Sequence, residues 1–450
     1  LKTWHAVEAP EPFEKISIDE ILFLYEKAEK NSARIDGFED KHIYLLTDES
    51  VISYIGVNRP TDYDRVIDGK GNLLIPGFYN SHCHAAMVMF RGYGEDLPLA
   101  RWLNEKVYPA EERLNTENVR IASKYAIAEM LKNGIVSFSD MYMFENSVAE
   151  SVIETGIKAN LSRSLVSFGD NATIKGDWRF NESIEWINKY NGANNGRLIM
   201  DMSLHAEYTN QEKYIREVAE YTKDRGLRMQ LHASESENEH LECIKRHGKT
   251  PIEYFLDTGV LASPTTLAHC VYVTDNDIDI IRDSGAFVSH NATSNLKLGS
   301  GVARLPKLLE KGVCVSLGTD GAASNNTLDI MREYQLASIL HKGYNRDAEA
   351  TRAYQMLDIA TLNGAKSQGR TDCGKLIVGN KADLVLIDLN AINNKPCYDT
   401  YCTLSYSANS SNVLLTMVDG DILYHNGEFT TIDIEKTVAE FDHICEHYFD

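Results

Sequence analysis

The 450-residue chain has no run of about 18 apolar residues, which excludes a transmembrane helix. Residues 1–12 carry no basic stretch followed by an apolar core, so no signal peptide is expected. Basic charge is scarce: 45 Lys and Arg stand against 66 Asp and Glu, a net charge of -21. Such a field repels nucleic-acid phosphates and anionic lipid, so neither nucleic acid nor a membrane surface is an expected partner. The eight cysteines form no CxxC pair and no regular spacing, and several fall within apolar runs, as in Val313-Cys314-Val315. Reduced core thiols and a cytoplasmic location are expected. Internal repeats and low-complexity segments are also missing. With 43% hydrophobic and 25% charged residues, the chain is neither disordered, collagen-like nor coiled-coil.

What is present is a succession of short apolar runs, each ending in a polar residue. Leu73–Phe78 leads to His82 and His84, Ile135–Phe138 to Asp140, and Ile157–Leu161 to Arg163. Leu198–Met202 leads to His205, Arg228–Leu231 to His232, and Thr266–Ala268 to His269. Ala286–Val288 leads to His290 and Val313–Gly318 to Asp320. These are eight candidate buried strands. Helix-like stretches lie between most of them, at 116–133, 211–225 and 275–283. The alternation predicts an α/β fold, a (β/α)8 TIM-like barrel, whose active site forms at the strand C-termini. An open α/β sheet is the competing architecture. Near the ends, 41–46 and 51–56 read as strands joined by a turn at 47–50, and 383–388, 413–418 and 421–424 as further strands. They predict a small β-sandwich domain built from both chain ends. The expected division is 1–75 (with 1–33 unassigned), a catalytic barrel at 76–375, and 376–450 closing the β-domain and ending in a helix at 432–449.

His82-Cys83-His84 places two imidazoles on one side of a strand, where they can share a metal ion. Alone, the pair reads equally well as two loop histidines. His232, His269 and Asp320 also end apolar strands, so a barrel brings all five to one mouth. Three imidazoles and a carboxylate suit Zn²⁺ or Fe²⁺. Glu235, three residues after His232, adds a carboxylate placed to shuttle protons. No lysine closes a mid-barrel strand to bridge two metals, so one ion is expected.

Four separated motifs, Pro76–His84, His232-Ala233-Ser234-Glu235, His269-Cys270 and Gly318–Asn326, together resemble the amidohydrolase superfamily. Within it they are similar to the branch of 5'-methylthioadenosine/S-adenosylhomocysteine deaminases and triazine hydrolases. Ser289–Leu298 is similar to the adenosine-type deaminases. The resemblance implies a metal-dependent deaminase of an adenosine-type nucleoside holding one divalent ion, zinc first and iron(II) second. It implies His82, His84, His232 and Asp320 as metal ligands. Glu235, His269 and Asp320 are implied as catalytic residues. For the substrate it implies Glu111 on the ribose hydroxyls, Trp102 on the nucleoside, and Arg163, Arg179 and His205 near the amino-acid tail of a longer substrate. Glu207 departs from the pattern and brings negative charge where an anionic tail is expected. The alternative is an aminohydrolase or chlorohydrolase of another heterocycle (a triazine, guanine or a pterin), which has no use for Glu111. A small-molecule substrate and a homo-oligomer are the expected partners.

Overall fold

A computed structural model describes residues 15–19, 44–56, 58–69, 71–169 and 171–449. Four strands, Phe78–Cys83, Ile135–Tyr142, Lys158–Arg163 and Leu198–Met200, are hydrogen-bonded in that order. Five more continue in parallel: Met202–Ser203, Met229–Ala233, Thr265–His269, Phe287–His290 and Cys314–Leu317. The two runs meet at Asp201, whose N–H donates to Leu161 O while Met202 N–H donates to Arg228 O. The other seam is closed by side chains and a backbone hydrogen bond. Ser81 Oγ donates to Leu317 O at 2.6 Å, and Asn80 Nδ2 donates to Thr319 Oγ1 at 2.7 Å. Asp320 N–H donates to His82 O at 3.0 Å. Counting the interrupted strand 198–203 once, these are the eight strands of a closed barrel.

The barrel strands are near-continuous in β-branched and other apolar residues because both faces are covered. Ile135–Tyr142 is buried at every position. The intervening helices carry ordinary stop and start signals. Asp177 accepts from Arg179 N–H and Phe180 N–H at the start of Trp178–Tyr190, and Gly156, Gly248 and Gly285 end helices at positive φ.

By contacts the chain falls into two compact units. One comprises the described parts of 1–79 with 130–137 and 329–431, the other 80–129, 138–328 and 432–450. The first contains two sheets. A four-stranded one runs Val51–Gly56, Tyr44–Asp48, Lys15–Asp19, Arg65–Asp68. A five-stranded antiparallel one runs Glu428–Phe429, Asp421–His425, Val413–Val418, Leu384–Ile387, Leu73–Pro76. Leu45, Ile52 and Ile67 of one sheet and Leu74, Leu384, Leu386, Leu415 and Met417 of the other share a core. This is the β-sandwich built from both chain ends.

Three expectations change in detail. The run 73–78 is not part of one barrel strand: Leu73–Pro76 pairs antiparallel with Leu384–Ile387, and the barrel strand starts at Phe78. Within the extension left unassigned, Lys15–Asp19 is a strand pairing with Tyr44–Asp48 and Arg65–Asp68. The strand expected at 41–46 runs Tyr44–Asp48, with 41–43 outside the described residues, as is the rest of 1–33. The terminal helix is Ile434–His447.

Candidate active site

Four of the barrel strands bring side chains at their ends to a common point. His82, His232, His269 and Asp320 each offer a ligand atom, and these atoms lie within 4.8 Å of one another. His84 joins them: its Nε2 lies 3.1 Å from Asp320 Oδ1 and 3.4 Å from His232 Nε2. The four ligands expected from the sequence, His82, His84, His232 and Asp320, therefore converge, together with His269.

The imidazoles are oriented from behind. His84 Nδ1 donates to Met141 O at 2.8 Å, His232 Nδ1 to His205 O at 2.7 Å, and His269 Nδ1 faces Asn295 Oδ1 at 2.8 Å. A carbonyl only accepts, so Nε2 of His84 and of His232 is left to present a lone pair inward. His82 Nε2 is buried without a hydrogen bond. Asp320 accepts from Ser294 Oγ and Ser324 Oγ on Oδ2, at 2.6 and 2.8 Å, which turns Oδ1 toward the histidines. An unsatisfied imidazole nitrogen, two more aimed at the same point and a half-satisfied carboxylate fit a divalent cation.

The electrostatics agree. Burial pulls His82 down to about 4, and pulls His232 further below its ordinary value with the neighbouring histidines adding to it. These rings are neutral, as metal ligands must be. His84 differs: burial pulls it down, but its hydrogen bond to Asp320 raises it to about 8, so it must give up that proton to ligate an ion. Burial pushes Asp320 up, yet the His82 and His84 imidazoles, 3.5 and 3.1 Å from its Oδ1, keep it well below the usual carboxylate range.

Glu235 is buried, with Oε2 3.8 Å from His269 Nε2 and Oε1 3.5 Å from Ser300 Oγ. Burial raises its carboxyl. Glu111 ends the short helix Tyr108–Glu111 and accepts from Tyr142 Oη at 2.7 Å. The Tyr142 ring lies 5.8 Å from that of His84, which brings Glu111 to the same mouth. Burial pushes Glu111 up to about 7.

His205 also belongs here: its ring centroid is 4.8 Å from that of His232, and its carbonyl orients that residue. Arg163 and Arg179 meet on the exposed indole of Trp178, at 5.4 and 4.5 Å. Arg163 is already engaged by Glu182 at 3.2 Å. Trp102 is buried, and among the described residues no ring contact joins it to the histidines. Glu207 is not the loose negative charge the sequence suggests: its fully buried side chain accepts from Arg246 Nη2.

Several residues of the site escape the sequence reading. Glu239 accepts from the N–H groups of Ser234 and Glu235, at 2.8 and 2.7 Å. Asp140, which the sequence marks only as a strand end, accepts from Ala85 N–H, at 3.2 and 3.1 Å, directly after His84. Asn295, Ser294 and Ser324 hold His269 and Asp320.

A closed (β/α)8 barrel with this constellation at its mouth defines the class, and residues 73–423 match the model of the amidohydrolase family. The chain belongs to that family. It is 39% identical over 402 residues to the 5'-deoxyadenosine deaminase of Methanosarcina mazei, covering 89% of this chain and 92% of that one. It is 41% identical over 374 residues to the 5-methylthioadenosine/S-adenosylhomocysteine deaminase of Acetivibrio thermocellus, covering 83% and 86%. A zinc-bound adenosine deaminase from Xanthomonas campestris has a TM-score of 0.88 at 26% identity, covering 98% of this chain and 99% of that one. The zinc-complexed atrazine chlorohydrolase of Arthrobacter aurescens TC1 shares the fold, at TM-score 0.86 and 22% identity over 96% and 100% of the two chains.

Proposed function

We propose that the protein is a hydrolytic deaminase of an adenosine-type nucleoside, releasing ammonia and the inosine-type product. The observation that carries this is Glu111: a half-buried carboxyl beside Tyr142 at the barrel mouth, suited to a pair of ribose hydroxyls and idle with a ribose-free heterocycle. The deaminase relatives at about two-fifths identity support the same reading. His82, His84, His232 and Asp320 would hold one divalent ion, with zinc favoured by the zinc-bound neighbour. Such an ion acts as a Lewis acid and brings water ionisation toward neutral pH.

The chain's own groups then divide the proton work. Asp320 Oδ1, turned inward by two serine hydroxyls, takes the proton of the attacking water and passes it to the departing amine. Glu235 gives a proton to the ring nitrogen next to the carbon under attack, and its raised carboxyl keeps that proton available. His269, fixed by Asn295, orients the water between them. Residues 76–375 carry this chemistry, with 1–75 and 376–450 flanking it. The eight free cysteines support a reducing, cytoplasmic setting. Arg163, Arg179 and Trp178 offer a place for the carboxylate of an S-adenosylhomocysteine-like substrate, with His205 beside His232 and Trp102 behind the nucleoside.

Ammonia release by the metal-loaded protein tests the reading, against adenosine, 5'-deoxyadenosine, methylthioadenosine, S-adenosylhomocysteine, guanine and triazines. Nucleosides are expected to be turned over, and Glu235→Gln to lose roughly two to four orders of magnitude with metal content unchanged. Turnover confined to guanine or triazines overturns it. Arg163→Met is expected to cost S-adenosylhomocysteine about 10- to 150-fold in kcat/KM, the worth of a charge-assisted hydrogen bond, and methylthioadenosine far less. Equal losses would make Arg163 purely structural.

A further inference from the structure

The segment that carries Glu111 has weak support of its own. It begins with the helical turn Leu99–Trp102, passes through a π-helical turn at Leu103–Val107 and ends in the four-residue helix Tyr108–Glu111. A π turn is rare, and so short a helix has few hydrogen bonds of its own: Glu112 N–H donates to Tyr108 O and Arg113 N–H to Ala110 O, both at 3.1 Å, and Leu114 N–H to Glu111 O at 3.0 Å. A contact from outside the segment adds to these in fixing where Glu111 stands.

The residues that follow the helix Ile434–His447 supply it. Tyr448 Oη donates to Ala110 O at 2.8 Å, the carbonyl directly before Glu111. Two residues past Glu111, Arg113 Nη1 donates to Tyr448 O at 3.2 Å. The Tyr448 ring packs on Phe90, with centroids 5.6 Å apart, and Phe90 ends the 3-10 helix that starts one residue after His84. Next to it, Phe449 stacks on Tyr93 at 4.8 Å and lies under the Arg113 guanidinium at 5.7 Å. Tyr93 in turn receives the Lys106 ammonium at 5.2 Å, on the π turn itself. Upstream, Phe441 stacks on Tyr125 at 4.1 Å and 9°, which anchors the helix to Thr116–Lys132. Phe449 is about half exposed, so burial of this ring is not its main service.

We propose that Tyr448 is a positioning residue for substrate recognition: by tying the Ala110 carbonyl to Phe90 and Arg113 it sets the Glu111 carboxylate at the mouth. Tyr448 touches no reacting atom. The proposal rests on the reading of Glu111 as the acceptor for ribose hydroxyls. If that reading holds, Tyr448 acts on KM and does so only for substrates that carry those hydroxyls.

The test uses the full metal-loaded chain and the variants Tyr448→Phe and Tyr448→Ala. The first removes only the hydroxyl, so it answers even if the second folds badly. With adenosine, Tyr448→Phe is expected to raise KM about 3- to 10-fold, in line with the loss of one neutral hydrogen bond, with kcat within about twofold. With 2',3'-dideoxyadenosine the KM penalty is expected to stay under about twofold. A general loss of fold or stability would burden both nucleosides alike. An equal penalty on the two, or none on adenosine, overturns the proposal. Amide hydrogen exchange decides the bracing separately from activity. Residues 103–114 are expected to exchange faster in Tyr448→Phe while the barrel strands do not. Unchanged exchange there overturns the proposal even if the wild type deaminates no nucleoside, an outcome that would by itself refute only the assigned reaction.

Discussion

The amides of Ser234 and Glu235 both donate to the Glu239 carboxylate, and Ser234 is held there at φ 51°, a conformation costly for a residue with a Cβ. Glu239 is buried, and burial with the nearby charge of Glu235 pushes it up to about 7. It therefore stays where it costs energy, and what it gains is a fixed turn that aims Glu235. Glu239→Gln keeps one acceptor oxygen and loses the other. The expected outcome is a fall in kcat of roughly 10- to 100-fold with metal content unchanged, read by steady-state kinetics and elemental analysis. Wild-type kcat would show that Glu235 needs no such hold. Glu239 is hard to read from sequence because a glutamate in the first turn of a helix reads as an ordinary capping residue; its spacing from Ser236, which caps the helix Glu237–His247, marks only that. Asn295 and Ser294 are hidden because the residues they hold, His269 and Asp320, lie 26 positions away. His82, His84, His232, His269 and Asp320 are visible because each closes an apolar run, and that alone sends it to the mouth. Glu207 misleads because a charge in sequence does not show its partner, here Arg246.

Strands and their ends extend the same logic. His269, Cys270 and Asp320 all sit at positive φ where their strands stop, at 75°, 46° and 60°. These turns swing the side chains across the mouth at a cost that only functional sites usually retain. Gly318 lies in the last of these strand ends. A Cβ there would stand 2.4 Å from Asn291 Oδ1 and from Ser289 Oγ, and 3.0 Å from His82 Cβ. Gly318→Ala must therefore push the Asp320 loop away from the first strand. It is expected to destabilise the fold by about 1–3 kcal/mol, an overpacking cost, and to lower metal occupancy along with it. Thermal unfolding and bound metal at equal protein concentration check this, and retention of both would mean the barrel seam yields without harm. Alternating apolar runs made most strands legible to within one or two residues, as at Val413–Val418. The run 73–78 misled because an apolar stretch does not reveal that the chain changes sheets at Gly77, where a Cβ would fall 2.2 Å from Val136 Cγ1. Lys15–Asp19 carries too few apolar residues and no turn signal, and its pairing is set by two distant strands.

Across the molecule, the described residues hold one group of side chains placed to bind a metal ion, and the helices include none long and apolar enough to cross a membrane. Lys158 stands at the start of its strand, away from the mouth, so among the described residues no barrel-strand lysine is placed to bridge a second ion. The expected stoichiometry is one divalent ion per chain. The donors come from strands far apart in sequence and meet only when the barrel is closed, so the ion binds the folded chain and not the unfolded one. Its stabilisation then grows with free metal, reaching about 4 kcal/mol at a thousand times Kd. Chelation is expected to abolish activity and lower Tm, and Zn²⁺ to restore both. His82→Ala/His84→Ala is expected to hold no stoichiometric metal and to show the same Tm with chelator as with zinc. Elemental analysis with paired melting curves reads all of this. Two ions per chain would require a bridge that the strand ends do not provide. A metal-dependent Tm in the double variant would mean that His232, His269 and Asp320 hold an ion without the two histidines of the first barrel strand.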